Sequence, residues 1–140
     1  MFNDEFVATW SPRLLSVLRI VVGALFLEHG LSKFFGFPMT MPATFQLMSL
    51  SGASGALELV GGALMVVGLF TRPTAFVLSG NMAFAYFIAH FPHGFFPIVN
   101  GGDAAVLYSF VFLYFAVAGA GPWALDAVRG LAGRGVVGHA

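Results

Sequence analysis

The residues best able to do chemistry in this chain follow directly after a long apolar run. Glu28 and His29 place an acid beside an imidazole, and Lys33 adds an amine one helical turn later. Ionisable side chains in a membrane cost about 2.5–3.5 kcal/mol each at mid-helix on insertion scales, so they usually face a protein interior and mark function. The alternative is an ion pair of Glu28 with Lys33 that holds the helix end at the interface.

Two more ionisable residues lie in later apolar runs. Glu58 sits among glycines, where it could exchange protons or could be the structural partner of Lys33 or Arg19. His90 closes a third run on the helical face that carries Tyr86, and could be a ligand or an interfacial histidine. Histidine and carboxylate side chains are the usual carriers of protons in catalysis. The predicted catalytic residues are therefore Glu28, His29, Glu58 and His90.

A second set could bind a ligand without reacting with it, namely Lys33, Tyr86, Asn100 and Asp103. Asn100 and Asp103 would equally suit a helix cap and the first turn of a helix. No metal site is predicted, although a Glu/His set from three helices could hold a metal and His29 with His90 could ligate a haem. The sequence has no phosphate loop, dinucleotide fingerprint or serine-hydrolase signature.

Composition places these residues in a membrane. Of the 140 residues, 59% are hydrophobic and only 9% are charged, whereas a soluble domain has about 25% charged residues. Zero net charge gives no reason to expect nucleic acid, and the absence of cysteine excludes disulfides and thiolate metal sites. The acidic start, with Asp4 and Glu5, lacks the basic region of a secretory signal, so we expect the first apolar run to be retained.

Four apolar runs predict an all-α four-helix membrane bundle. The spans are expected at about 12–35, 54–70, 73–91 and 102–120, within one domain of residues 1–126. Ser11 and Pro12 are typical of a helix start, which would leave the first nine residues as a loose or interfacial tail. Pro38 and Pro42 interrupt the chain between the first two spans and predict a short interfacial segment over the mouth of the bundle.

Basic residues predict how the bundle is oriented. Arg13, Arg72, Arg129 and Arg134 flank the N-terminus, the second loop and the C-terminal tail, expected at 127–140. The positive-inside bias therefore predicts a multi-pass protein of the bacterial inner membrane with both termini in the cytoplasm. The candidate site residues then all lie toward the outer side, while Arg19 could extend to the inner interface.

Three motifs together resemble the DoxX family of small bacterial membrane proteins. They are Arg19 through Phe37, the block Glu58-Leu59-Val60-Gly61-Gly62 followed by Gly68-Leu69-Phe70-Thr71-Arg72, and Asn100-Gly101-Gly102-Asp103. The resemblance covers about 13–126 and implies a four-helix inner-membrane protein. It also implies a link to quinone-dependent oxidation, to thiosulfate oxidation in relatives, and to complexes that handle oxidative or thiol stress. It provides no catalytic residues that could be transferred to this chain.

Two functions of different classes follow. The first is a quinone-interacting oxidoreductase, or the membrane subunit of a redox complex, with a polar pocket at headgroup depth and an apolar slot for a tail. The second is a non-catalytic membrane component that binds lipid or anchors partner proteins, its buried charges being structural ion pairs. Small-residue faces, such as Ser79 with Ala83, permit close helix approach and predict a homo-oligomer or a complex with membrane or periplasmic proteins.

Overall fold

The computed structural model describes residues 3–42, 46 and 48–136, and the side chains of all of these except 131–136. The described residues form helices and contain no strand. The helices are α1 (Asp4–Phe35), α2 (Leu50–Val67), α3 (Thr71–Ala85), α4 (Pro97–Asn100), α5 (Asp103–Ala118) and α6 (Leu125–Val136). A π-helical turn (Tyr86–His90) and a 3₁₀ turn (Phe91–His93) extend α3 without a break.

Helix α1 begins at Asp4, so the predicted start at Pro12 and the predicted loose tail are wrong from Asp4 onward. The Asn3 side chain accepts a hydrogen bond from the Phe6 N–H at 2.9 Å, and two acids, Asp4 and Glu5, suit the positive end of the helix dipole. These signals start the helix early, and Pro12 is accommodated inside it. The 32 residues of α1 span about 48 Å, more than the hydrocarbon core of about 30 Å.

Glycines bring α1 and α2 into close contact. A Cβ on Gly30 would stand 2.5 Å from the Leu59 nitrogen, and one on Gly62 would stand 2.7 Å from the Leu27 nitrogen. Because these neighbours are backbone atoms, they cannot move aside without separating the helices. As the sequence predicts, the glycine face around Glu58 is where the neighbouring helix packs.

The connection from α2 to α3 is a tight turn. Gly68 ends α2 in the left-handed region with a φ of 69°, which glycine adopts at little cost. Helix α3 then begins at Thr71, before the predicted Pro73. Its first amides are capped from a distance, because the Asp126 carboxylate accepts hydrogen bonds from the N–H groups of Phe70 (2.9 Å) and Thr71 (2.8 Å).

Helices α3 and α5 form the second packed pair. Ser79 donates to the Ser109 carbonyl at 2.8 Å and Ser109 donates to the Ser79 carbonyl at 3.1 Å. The two pairs meet through aromatic rings, since Phe26 of α1 lies 4.8 Å from Phe112 of α5 between ring centroids. Ser79 is thus buried. The small-residue face that carries Ser79, predicted to permit association between proteins, packs against α5 of the same chain.

Helix length and surface composition agree with a membrane protein. Three helical segments, Asp4–Phe35, Leu50–Val67 and Thr71–His93, are long and apolar enough to cross a bilayer. Helix α5 is apolar but has only 16 residues, or about 24 Å of length. Large apolar side chains also cover the outside of the bundle: Phe76, Phe84, Leu107 and Phe110 are each about two-thirds exposed. Such a surface suits lipid as its solvent.

Two connecting segments complete the chain. The described residues between α1 and α2 are not helical, and the predicted interfacial segment falls partly on residues 43–45 and 47, outside the described residues. Beyond α5, the structure has a helix, α6, where the sequence predicts only a soluble tail. The Asp126 N–H bond to the Gly68 carbonyl, 2.9 Å long, together with the carboxylate cap described above, anchors the start of α6 to the bundle.

Candidate functional site

A large cavity opens at the end of the bundle where α1 ends and where α2 and α5 begin, here called the mouth end. Its volume is about 890 Å³, which is within the range of small-molecule sites. Helices α1, α2 and α5 contribute to its lining, together with α3 and its π-helical turn. Most of the lining is apolar, and a few polar side chains converge in it.

A chain of hydrogen bonds crosses the cavity wall from α1 to α3. The Lys33 ammonium donates to Glu58 Oε1 at 2.8 Å, and the Ser54 hydroxyl lies 3.3 Å from the same oxygen. The Asn81 amide then donates to the Ser54 oxygen at 3.1 Å. Three helices therefore hold one carboxylate oxygen in place, and the close α1–α2 crossing at Gly30 and Gly62 brings Lys33 and Glu58 within reach.

The second oxygen of Glu58 has no such partner. Glu58 is only 4% exposed, and no described residue donates a hydrogen bond to Oε2. A buried acceptor without a partner costs about 1–3 kcal/mol, more when it is charged. Glu58 also lines the cavity, so this oxygen, although itself buried, lies in the wall beside the cavity.

Both predicted histidines also line the cavity. His29 is exposed and its ring lies edge-on to Tyr108, with centroids 6.5 Å apart. His90 Nδ1 lies 3.2 Å from the Asn100 carbonyl oxygen, which a protonated Nδ1 would satisfy. The His90 ring is nearly parallel to that of Tyr86, at 6.5 Å. The structure thus brings His29, Lys33, Glu58 and His90 to one cavity.

The other four predicted site residues do not belong to its lining: Glu28, Tyr86, Asn100 and Asp103. Asn100 organises its own loop, since it donates to the Gly94 carbonyl at 2.7 Å and accepts from the Gly102 N–H at 2.8 Å. Tyr86 donates to the Phe95 carbonyl at 2.8 Å. Asp103 lies in the first turn of α5, and Glu28 is exposed on α1.

Sequence reasoning missed four polar residues of the cavity, Ser51, Ser54, Asn81 and Tyr108. Asn81 carried a usable signal, because an amide in the middle of an apolar helix needs a partner in lipid. Ser51, Ser54 and Tyr108 carried none, since serine and tyrosine are common at helix ends and membrane interfaces. Among the described residues, no group of three His, Asp or Glu side chains is arranged to hold a metal ion.

Arg19 belongs to the opposite end of the bundle, which the turn between α2 and α3 closes. Its side chain is fully buried, so the prediction that it extends to the interface is wrong. The guanidinium donates to four carbonyl oxygens, those of Met65, Val66, Ala120 and Trp123. Carbonyls at a helix C-terminus carry partial negative charge, so Arg19 ties the end of α2 to the segment after α5.

Asp126 adds the complementary charge at that end. Burial alone would raise the pKa of its carboxyl group, but hydrogen bonds from Thr71 and Phe70 and the nearby charge of Arg129 lower it, and the net result is a pKa below the usual value. Arg129 itself lies over the Phe70 ring at 4.7 Å. This end of the molecule is therefore an anchoring device, distinct from the cavity.

Comparison with known proteins agrees with this architecture. An uncharacterized protein of Haemophilus influenzae is 48% identical over 124 residues, which cover 84% of this chain and 91% of that protein. An uncharacterized membrane protein of Mycobacterium tuberculosis is 28% identical over 133 residues, or 82% of this chain and 80% of that one. A Bacillus subtilis protein, CatD, whose name assigns it provisionally to the oxidoreductases, is 40% identical over 63 residues, covering 40% and 44% of the two chains.

No solved structure matches the chain. The family model described as DoxX matches residues 14–91, a stretch that runs from the start of the first apolar span through Glu58 to His90. The chain therefore belongs to the DoxX family of membrane proteins.

Proposed function

We propose that this protein binds a quinone in the cavity at the mouth end and acts as a quinone-interacting oxidoreductase or as the membrane subunit of a redox complex. The observation that carries the proposal is the Glu58 carboxylate, buried in the wall of a mostly apolar cavity, with one oxygen that accepts no hydrogen bond from any described residue. A quinone combines an apolar body with oxygens that exchange protons, and this cavity offers complementary surfaces for both.

The side chains around the cavity divide into acceptors and donors. Glu58 Oε2 can accept a hydrogen bond from a quinol hydroxyl, while Lys33 and the imidazole of His29 can donate to a quinone carbonyl. With its Nδ1–H directed at the Asn100 carbonyl, a neutral His90 can accept from a quinol hydroxyl at Nε2. Interconversion of quinone and quinol moves two protons and two electrons. His29 is exposed and can pass protons to the solvent at the mouth end. The electrons would be exchanged with a redox partner protein.

Two further observations bear on the proposal. The name of CatD, a relative over less than half of the chain, points to redox chemistry. The basic residues Arg13, Arg72 and Arg129 lie at the closed end, which the positive-inside bias assigns to the cytoplasm of a bacterial inner membrane. On that assignment, both termini are cytoplasmic and the cavity faces the outer side.

The test is quinone binding by the protein purified in lipid nanodiscs, titrated with a quinone that carries one isoprenoid unit. We expect Glu58→Gln to raise Kd about tenfold, equivalent to about 1.4 kcal/mol, and to change the pH dependence of binding. Glu5→Gln, the same change in an exposed acid at the far end of α1, should leave both unaltered. An unchanged Kd and pH profile in folded Glu58→Gln would refute the proposal.

Glu58→Gln leaves Lys33 without its ion-pair partner, so a second variant guards against a loss of folding. His29→Gln changes an exposed cavity residue and should preserve the melting temperature. We expect it to weaken quinone binding and to abolish the part of its pH dependence that comes from imidazole. Binding of a quinone with native affinity by both variants would exclude these side chains from the site.

One observation favours the second candidate function, a lipid-binding or partner-anchoring membrane component. Lys33 and Glu58 already form an ion pair at 2.8 Å, as a purely structural role would require. In that case phospholipid would be retained through purification in place of quinone, and Glu58→Gln would lower stability with no effect on any bound redox molecule. Mass spectrometry of small molecules extracted from the native protein distinguishes the two.

A further inference from the structure

The residues of α2 and α3 that line the cavity include several that are exposed, as at an opening in the side of the cavity. We infer that a quinone enters through this opening from the bilayer, that its isoprenoid tail lies in the groove between the two helices, and that Gly80 keeps the groove open. This inference rests on the proposed function, since it assigns the tail of the ligand whose headgroup meets Glu58.

Toward the closed end of the bundle, the groove ends at a contact between the two helices. A Cβ on Gly61 of α2 would stand 2.6 Å from a methyl group of Leu78, and Leu78 is only 1% exposed. The two helices are therefore in close contact at this level. They are joined by a short turn at the closed end. Beyond the Gly61–Leu78 contact, toward the mouth, the Asn81 amide still donates to the Ser54 hydroxyl at 3.1 Å, and residues of both helices line the cavity there.

At that contact and beyond it toward the mouth, several residues that line the cavity are also exposed. On α3 and its π-helical turn, Val77, Phe84 and Ile88 are 50%, 68% and 55% exposed, and on α2 Leu57 is 39% exposed. Large exposed fractions at residues that line the cavity on both helices are what an opening of the cavity between α2 and α3 would produce. Because this surface is apolar and belongs to membrane-spanning helices, the opening faces the lipid tails.

Gly80 lies in the middle of this lateral opening. It lines the cavity, and no atom of the described residues lies within 4 Å of the position that a Cβ would take. Glycine is otherwise unfavourable within a helix, by about 0.8–1.0 kcal/mol relative to alanine. A larger side chain at this position would therefore meet no clash at its Cβ, and on this assignment it would fill space that the tail occupies.

The distribution of polar groups favours a tail over a headgroup in the groove. The hydrogen-bonding side chains of the cavity include Lys33, Glu58 and Asn81, which belong to one network, whereas the exposed rim is formed by apolar side chains. A molecule with a polar head and a long apolar tail would bury its head at Glu58 and leave its tail along α2 and α3. An isoprenoid quinone has this form.

The experiment compares two quinones with the same headgroup, one with a single isoprenoid unit and one with a long isoprenoid tail, in nanodiscs of the native protein and of two variants. Gly80→Phe should weaken binding of the long-tailed quinone about tenfold, because several methylene groups lose their contact with the groove. Binding of the short-tailed quinone should change less than twofold. Ala63→Leu enlarges an exposed residue of α2 outside the cavity lining and should affect neither quinone.

The outcomes separate this inference from the proposed function. Equal binding of the long-tailed quinone by native protein and Gly80→Phe would overturn the groove assignment, even if Glu58→Gln still weakened both quinones. Failure of the native protein to bind either quinone would overturn both proposals. Recovery of a phospholipid acyl chain cross-linked to Leu57 or Val77, with no competition from long-tailed quinone, would assign the groove to lipid and refute the quinone tail.

Discussion

A carboxylate has two oxygens, and in Glu58 only one of them has hydrogen-bond partners among the described residues. One accepts hydrogen bonds from Lys33 and Ser54, and the other is buried without a donor among the described residues. An acid fully satisfied inside the protein would have no capacity left for a ligand, whereas an unpaired acid would be too costly to bury. The structural ion pair and the proposed binding role are therefore compatible in the same side chain.

Arg19 is the second buried charge, and its role is structural. Its guanidinium reaches four backbone carbonyls that belong to separate parts of the chain. Lysine carries one nitrogen and cannot span them, so Arg19→Lys should leave buried carbonyls unpaired, at about 1–3 kcal/mol each. We expect a clear fall in melting temperature in detergent, measured by size-exclusion chromatography with fluorescence detection after heating.

The matched control is Arg72→Lys. Arg72 also donates to helix-end carbonyls, those of Ala116 and Val117, but it is exposed. Because water can replace the hydrogen bonds of Arg72, the melting temperature of Arg72→Lys should fall much less than that of Arg19→Lys. Equal losses of stability in the two variants would show that burial of Arg19 is not what makes it important.

At the scale of elements, glycine spacing decides how the polar groups meet. Gly30 and Gly62 let α1 and α2 approach until backbone contacts backbone, and this approach sets the distance from Lys33 to Glu58. The sequence predicted the glycine face around Glu58 and named Lys33 as one possible partner, because both follow from helical periodicity. It could not choose between Lys33 and Arg19, since that choice depends on which level of the bundle each residue reaches.

The docking of α6 yields a prediction about pH. The pKa of Asp126 in the folded protein is lowered from its ordinary value of 3.8, because its carboxylate caps the first amides of α3. Its contribution to stability is therefore fully present above about pH 4 and is lost as the pH falls through the lower folded pKa. Removing such a cap costs about 0.5–2 kcal/mol.

The measurement is the melting temperature of native protein and Asp126→Asn as a function of pH. At neutral pH, native protein should be the more stable, because asparagine keeps only one acceptor oxygen and no charge. The difference should shrink as the pH falls below about 4, where the native carboxyl group becomes protonated. A difference that is independent of pH would show that the charge of Asp126 contributes nothing to the cap.

At the scale of the whole molecule, the length of the apolar runs in the sequence was the informative signal. It predicted the helical class and the approximate position of each long helix, because lipid requires continuous helical hydrogen bonding. It misplaced the start of α1, where the cap at Asn3 overrides the local preference of Pro12, and it missed α6, which depends on Asp126 meeting a turn far away in sequence. The opening inferred beside Gly80 could not be predicted from the sequence either, because an empty space between helices depends on how they pack and not on a residue type.

The orientation of the molecule in the membrane is the remaining large-scale prediction. Arg13, Arg72 and Arg129 lie at the closed end, so we expect that end in the cytoplasm and the cavity mouth on the outer side. The chain contains no cysteine, so single-cysteine variants can be labelled without background.

Two exposed positions, one at each end, provide the test: Thr40, between α1 and α2, and Val128, on α6. In intact cells, a membrane-impermeant maleimide should modify Thr40→Cys but not Val128→Cys, which should react only after permeabilisation. The reverse pattern would place the cavity mouth in the cytoplasm. Protons exchanged by a quinone at Glu58 and His29 would then come from the cytoplasmic solvent, so the labelling result decides the side of the membrane on which the proposed proton transfer occurs.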